Sequence, residues 1–324
     1  MTNRRAPFCA ALLGLALALA SPPGAARGEE AGALAVFAAG TLAVPFRELD
    51  ALFERRHPDI PVQPQFGGSV MMAKRIVELG QAADILAVAD YNVIPKYLFS
   101  GSGKARAEWY VGFARNAITF VYTDCSRYAD AISAKNWYEV LARPGVAIGR
   151  SDPNTDPSGY QTLQMLSLAE AHYGVPGLAA KILANAPSAN MRDTETALLS
   201  ALQLGQIDYL AIYRSDALQH GLRHLDLPAQ IDLSDPTLAS AYATGVAQTK
   251  NGALHGRPIV YAATIPSGAG HPEWAALYLA LLLGPDGQAI MRKNGFGVIA
   301  PGYAVGAEKV PPALRPLVAA WPGS

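Results

Sequence analysis

Six polar side chains crowd into the stretch 150–161, RSDPNTDPSGYQ: Ser151, Asp152, Asn154, Thr155, Asp156 and Ser158. Side chains of this kind fold back on the backbone as Asx and Ser/Thr turns. The helix expected to start near Ser158 leaves its first N–H groups unpaired, and a helix N-terminus carries roughly half a positive charge, a seat for an anion. Two further turns share this make-up, Gly40-Thr41 and Gly68-Ser69. Any one of them is accounted for as an N-cap on a surface turn. Three at the carboxyl ends of strands in facing sheets would form a neutral anion cradle, because ligands of open α/β sheets bind there.

Other candidate chemistries fail on spacing. Gly101-Ser102-Gly103-Lys104 suggests a phosphate loop, but Leu98 occupies the required upstream glycine position and Ala105 follows the lysine, so a solvated loop is the better reading. His220 and His224 have i,i+4 spacing, yet no carboxylate stands in a metalloprotease frame and Gly221 weakens a helix there. Gly67-Gly68-Ser69-Val70 is followed by Met71, so there is no G-x-S-x-G elbow. Cys125 follows an apolar run and is expected to be a half-buried structural thiol, with no motif placing a histidine beside it.

The elements that must carry the polar turns are legible as alternating strands and helices. Residues 34–38 form an apolar run into Ala39-Gly40-Thr41, and Leu42, Phe46, Leu49, Leu52 and Phe53 mark one face of a helix ended by His57-Pro58. Residues 60–65 are extended. Val70, Ala73, Ile76 and Val77 then mark a second helix stopped by Gly80, and 85–89, ILAVA, has the continuous apolar character of a strand buried on both faces. Strands follow at 117–122, 146–149, 208–213 and 259–265. Helices are expected at 160–173, 177–184, 194–204, 271–283 and 286–293. This alternation predicts doubly wound α/β architecture in two clusters without a long linker.

With 324 residues the chain is long enough for two such clusters. Hydrophobic residues make up 51%, and 26 Lys+Arg balance 26 Asp+Glu, which argues against a nucleic-acid partner and against long-range capture of a strongly anionic substrate. Arg4 and Arg5, the apolar run 7–20 and the small residues Gly24-Ala25-Ala26 have the layout of an export signal over 1–26. The Arg pair is a weak echo of a twin-arginine leader, and Cys9 lies inside the apolar run rather than after it. Removal of that leader leaves Cys125 alone, so an exported, soluble, disulfide-free protein is expected.

Longer segments resemble a known family. AGTLAVPFRELDALFERRHPDI (39–60), GGSV (67–70), ADILAVADYNVIP (83–95), WYVGFARNAITFVYTD (109–124), NWYEVLARPGVAIGRSDPNTDPSGYQTL (136–163), IDYLAIYRSDALQHGL (207–222) and LPAQIDLSDP (227–236) are together similar to the archaeal-type molybdate/tungstate-binding proteins of ABC transporters. The resemblance covers nearly the whole chain after the leader. It implies a type II periplasmic-binding-protein fold: two doubly wound α/β lobes joined by a hinge, with residues 27–115 and 234–324 forming the first lobe and 116–233 the second. It also implies a periplasmic, non-enzymatic, monomeric receptor without a cofactor, which captures tungstate or molybdate and passes it to a membrane permease.

In that family the metal of the oxyanion is held by six oxygens, four of its own and two from protein carboxylates. The resemblance assigns the carboxylates to Asp156 and Glu195, and the hydroxyl and N–H donors to Thr41, Ser69 and Tyr213. Thr41 stands where the family has serine, and Gln161 where it has arginine. Two unit charges about 4 Å apart interact by roughly 4 kcal/mol at an effective dielectric near 20, so carboxylates facing a dianion make sense only as ligands to its metal centre. Receptors for sulfate, phosphate or an organic anion remain the alternatives within the class. A periplasmic hydrolase using Asp156 or Glu195 as general base is the alternative outside it.

Overall fold

The computed structural model describes residues 32–99, 106–192 and 194–322. The leader expected at 1–26 and the loop 101–104 lie outside these residues.

Apolar runs with short helical connections build the first sheet. β1 (Leu34–Ala39) pairs in parallel with β2 (Val62–Gly67) on one side and β3 (Ile85–Val88) on the other. Between them run α1 (Ala43–Arg56), entered through a 3-10 turn at Gly40–Leu42, and α2 (Ser69–Val77). α1 buries Phe46, Leu49 and Phe53, with the rings of Phe46 and Phe53 6.0 and 5.3 Å from that of Tyr278. Each such side chain contributes about 1.5–3 kcal/mol on burial.

β4 (Tyr110–Arg115) belongs to the same sheet, and the chain leaves it through Asn116 and Ala117. The second sheet starts at once with β5 (Ile118–Tyr122). α3 (Trp137–Leu141), β6 (Ile148–Gly149), α4 (Pro157–Tyr173), α5 (Leu178–Ala184), α6 (Glu195–Gln203), β7 (Tyr209–Tyr213), α7 (Arg214–Gln219) and β8 (Arg223–His224) complete it, in the strand order β6-β7-β5-β8. After α8 (Ala239–Tyr242) comes an antiparallel hairpin, β9 (Val246–Thr249) and β10 (Gly252–His255). The return is made by β11 (Val260–Thr264), followed by α9 (Pro272–Leu283), α10 (Pro285–Lys293), β12 (Gly297–Val305) and β13 (Val318–Ala320). The large sheet runs β13-β12-β4-β11-β3-β1-β2.

Three features differ from the sequence expectation. The large sheet is mixed, because β11 arrives from the second sheet and inserts antiparallel between β3 and β4. The 246–255 hairpin and β12 do not show as strands in the sequence, the hairpin because its strands are short and partly polar and β12 because Pro301 and Gly302 interrupt its apolar residues. Cys125 is exposed rather than half-buried, since the chain turns immediately after β5. His220 ends α7 and His224 lies in β8, with Gly221 at φ +60 between them, so the two rings do not share a helix face.

The hairpin straps parts of the molecule together. Its Val246 N and Leu254 O bond to Ser167 and Gln164 of α4, and Lys250 N donates to Asn154 Oδ1 at 2.8 Å. Asn251 Nδ2 reaches Tyr97 OH at 3.5 Å.

Candidate functional site

Two carboxylates from the second sheet meet two glycine turns from the first. Asp156 is the N-cap of α4: its Oδ1 accepts from Ser158 N at 2.8 Å and from the Ser158 hydroxyl. Ser158, where the sequence places the start of the helix, is thus the donor and Asp156 the cap. The loop that delivers Asp156 lies close over the first turn of α4, where a β-carbon on Gly159 would fall 2.7 Å from the Asp152 and Pro153 backbone. Only glycine fits beneath that loop.

Glu195 is the first residue of α6, whose N-cap Thr194 accepts from Ala197 N at 3.2 Å. With Asp156 it lines a single small cavity together with Gly40, Gly67, Gly68 and Arg192. The approach is close. A β-carbon at Gly40 would lie 2.6 Å from Glu195 Oε2, and one at Gly68 would lie 2.5 Å from Thr155 O and 3.0 Å from Asp156 Oδ2. Across the same seam Met71 N donates to Thr155 O at 3.2 Å. The enclosed space is about 10 Å³, room for roughly one water. An oxyanion reaches these carboxylates only when the turns draw apart.

None of the three hydroxyls expected at the ligand lines this cavity; each is buried and each has a protein partner. Thr41 Oγ1 pairs with Tyr261 OH at 2.9 Å, Ser69 Oγ accepts from Ala89 N at 3.0 Å, and Tyr213 OH donates to Gln161 Oε1 at 2.7 Å. Ser69 therefore retains its own proton for a further acceptor, whereas that of Tyr213 is taken. Asn116, at the crossing between the sheets, donates to both Ser215 Oγ (2.8 Å) and Tyr261 OH (3.2 Å). Gln161 is 1% exposed, and among the described residues its Nε2 has no hydrogen-bond partner.

A third carboxyl, Asp216 of α7, lies fully buried beside Glu195, and neither of its oxygens has a donor of ordinary geometry among the described residues. Burial pushes Asp216 up to about 7, opposed by the neighbouring Glu195 carboxyl. Burial first, then the charge of Asp216, holds Glu195 well above its usual range. Asp156 is raised less, because the Ser158 and Gly159 donors oppose its desolvation. Asp156 and Glu195 are half-buried, and both line the cavity.

Sequence reasoning missed Asp216, Arg192, Asn116 and Tyr261. An aspartate in the first turn of a helix looks like an ordinary dipole partner, and nothing in SDALQ signals its burial. Arg192 stood in plain view in the segment before Glu195, where a cation close to paired acids was a usable signal.

The solved structures that this chain resembles define its class as a type II periplasmic-binding-protein fold. The periplasmic molybdate-binding protein of Azotobacter vinelandii matches with a TM-score of 0.58 at 18% identity, covering 81% of this chain and 97% of that one. The sulfate-binding protein SubI of Mycobacterium tuberculosis matches with a TM-score of 0.57 at 13% identity, covering 88% and 89%. The chain belongs to the bacterial extracellular solute-binding protein family, whose profile matches residues 34–297. A solute-binding protein of Petrotoga mobilis is 40% identical over 88% of this chain and 89% of its own. The molybdate/tungstate-binding protein WtpA of Pyrococcus abyssi is 34% identical over 90% of this chain and 91% of its own. Among the described residues no helix is long and apolar enough to cross a membrane.

Proposed function

We propose that this protein is an extracytoplasmic receptor that captures tungstate or molybdate and delivers it, without chemical change, to the membrane permease of an ABC transporter. The observation that carries this reading is the pair Asp156 and Glu195 lining one cavity against the Gly40 and Gly67–Gly68 turns. Two carboxylates repel a dianion unless they bind the metal at its centre, and Mo and W accept further oxygen ligands where sulfur and phosphorus do not readily do so. The same pair thereby selects against sulfate and phosphate. Glycine at positions 40 and 68 lets the two sides approach until the oxo atoms meet backbone N–H groups and the Ser69 hydroxyl. Ligand then holds the lobes shut as a monomeric, hinge-closing receptor.

Calorimetric titration of the protein lacking residues 1–26 with tungstate, molybdate and sulfate tests the proposal. Tungstate or molybdate should bind at least about a hundredfold more tightly than sulfate, a difference of roughly 2.7 kcal/mol. Equal affinity for sulfate refutes the coordination argument, and tight binding of an organic acid in this cavity reassigns the receptor.

A further inference from the structure

The lining of the carboxylate cavity holds three acids, Asp152, Asp156 and Glu195, and among the described residues one cation, Arg192. A cation among acids ordinarily pairs with them. Arg192 makes no ion pair among the described residues, and its hydrogen bonds go to its own segment: Nη1 donates to Ala189 O at 2.7 Å and to Met191 O at 2.8 Å. Both hydrogens of Nη1 are used in this way, and the edge formed by Nε and Nη2 is left free. Arg192 is half-buried, and neither Nε nor Nη2 is shut off from open space.

The segment that carries this side chain is tied down. Asn190 Nδ2, at the end of the 3-10 turn Ser188–Asn190, donates to Ile148 O of β6 at 3.1 Å, and Met191 bridges in parallel to Arg150. A few residues further on, Glu195 opens α6. Arg192 and Glu195 therefore reach the cavity from one short span of chain.

The free edge of a guanidinium is planar, weakly hydrated and spaced to take the oxygens of an oxyanion. A tetrahedral dianion whose metal centre is bound by two carboxylates still presents its own oxygens, and its charge is faced by further negative charge on the protein. A cation on the oxo atoms offsets that repulsion without competing with the carboxylates for the metal.

We infer that Arg192 is a further ligand-binding residue, whose free guanidinium edge takes oxo atoms of the bound tetrahedral anion while Asp156 and Glu195 take its metal. This inference rests on the oxyanion reading of the cavity. It gives the two carbonyl bonds to Nη1 a role: they hold the guanidinium off the acids, so that its other edge is kept for the ligand.

Calorimetric titration of the parent, Arg192→Gln and Arg192→Lys with tungstate tests it. Arg192→Gln should bind tungstate about tenfold to a hundredfold more weakly than the parent, as expected for loss of hydrogen bonds to a charged group. Arg192→Lys keeps the charge without the fork and should fall between the two. The inference is overturned if Arg192→Gln binds tungstate as tightly as the parent. It is also overturned if the two variants lose affinity equally, because the missing carbonyl bonds of the 189–192 segment, rather than the cation, would then account for the loss. Both outcomes leave the oxyanion reading standing, whereas a parent that binds no tungstate overturns that reading and this inference with it.

Discussion

Gly68→Ala separates closure from folding. Gly68 has φ −57 and ψ 131, a conformation that alanine adopts freely, so its own backbone does not require glycine. What requires it is the opposite wall. The new β-carbon would lie 2.5 Å from Thr155 O, and ordinary contact at about 3.4 Å needs the two turns to part by about 0.9 Å. At that separation the bond from Met71 N to Thr155 O, already 3.2 Å, is lost, which costs about 1 kcal/mol. Asp156 Oδ2 moves away from the first-sheet donors at the same time. The expected result is a tungstate affinity about tenfold weaker, or about 1.4 kcal/mol. The free protein should unfold no more easily than the parent, and replacing glycine at a tolerant position even favours folding by about 0.4–1 kcal/mol. Calorimetry gives the first quantity and urea denaturation without ligand gives the second. Unchanged affinity would mean that the turns do not close on the ligand. A free protein destabilised by more than about 1 kcal/mol would mean that the Gly68 contact belongs to the resting fold rather than to closure.

Asp156→Asn keeps a competent N-cap on α4, so stability should change by less than about 0.5 kcal/mol, while tungstate binding loses about 2–5 kcal/mol with the carboxylate. Denaturation and calorimetry on the same variant separate the two roles, and parallel losses would refute the division. Glu195→Gln should weaken tungstate far more than any residual sulfate binding, as measured by competition. Tyr160→Phe removes the proton from the 2.6 Å bond to buried Asp90 Oδ2 and should cost about 1–3 kcal/mol of stability by urea denaturation.

Much of the fold was legible because its inner strands are continuous apolar runs: 34–38, 85–89, 117–122 and 208–213 correspond to β1, β3, β5 and β7, each buried nearly throughout. Strand direction was not legible. Burial on both faces makes a strand look parallel, and β11, fully buried yet antiparallel to both its neighbours, shows that burial and direction are separate facts. Edge and hairpin strands such as β10, exposed along most of its length, carry no apolar signature to find. Within the site, the 150–161 loop could be located from its turn chemistry, but the resemblance was needed to single out Asp156 from its six polar side chains. Glu195 had not even a turn signal to mark its segment and depended on the resemblance throughout. Asp216 was hidden because its burial is imposed by elements far along the chain, β11 through Tyr261 and the crossing through Asn116.

The burial of three acids around one seam has a thermodynamic sign that can be checked. Asp216 moves from an ordinary 3.8 to about 7 in the folded protein, so the fold holds a proton that the unfolded chain gives up between about pH 4 and pH 7. Its contribution to stability is complete below about pH 4, declines as pH rises, and is gone above about pH 7. Glu195, also raised, acts in the same direction. Asp216→Asn keeps a hydrogen-bonding group beside Glu195 and removes the titration. At pH 8 it should therefore be more stable than the parent by on the order of 1–3 kcal/mol, with the advantage shrinking toward pH 4. Asp50, raised to about 6 by burial, gives the parent a similar slope, but it is common to both proteins and cancels in the difference. An equal pH dependence in parent and variant would show that Asp216 stays ionised in the fold. A metal centre bound by Glu195 offsets the same repulsion, so saturating tungstate should stabilise the parent more than Asp216→Asn at pH 8. The acids that repel one another at the closed cavity are in this way the groups that make its closure depend on ligand.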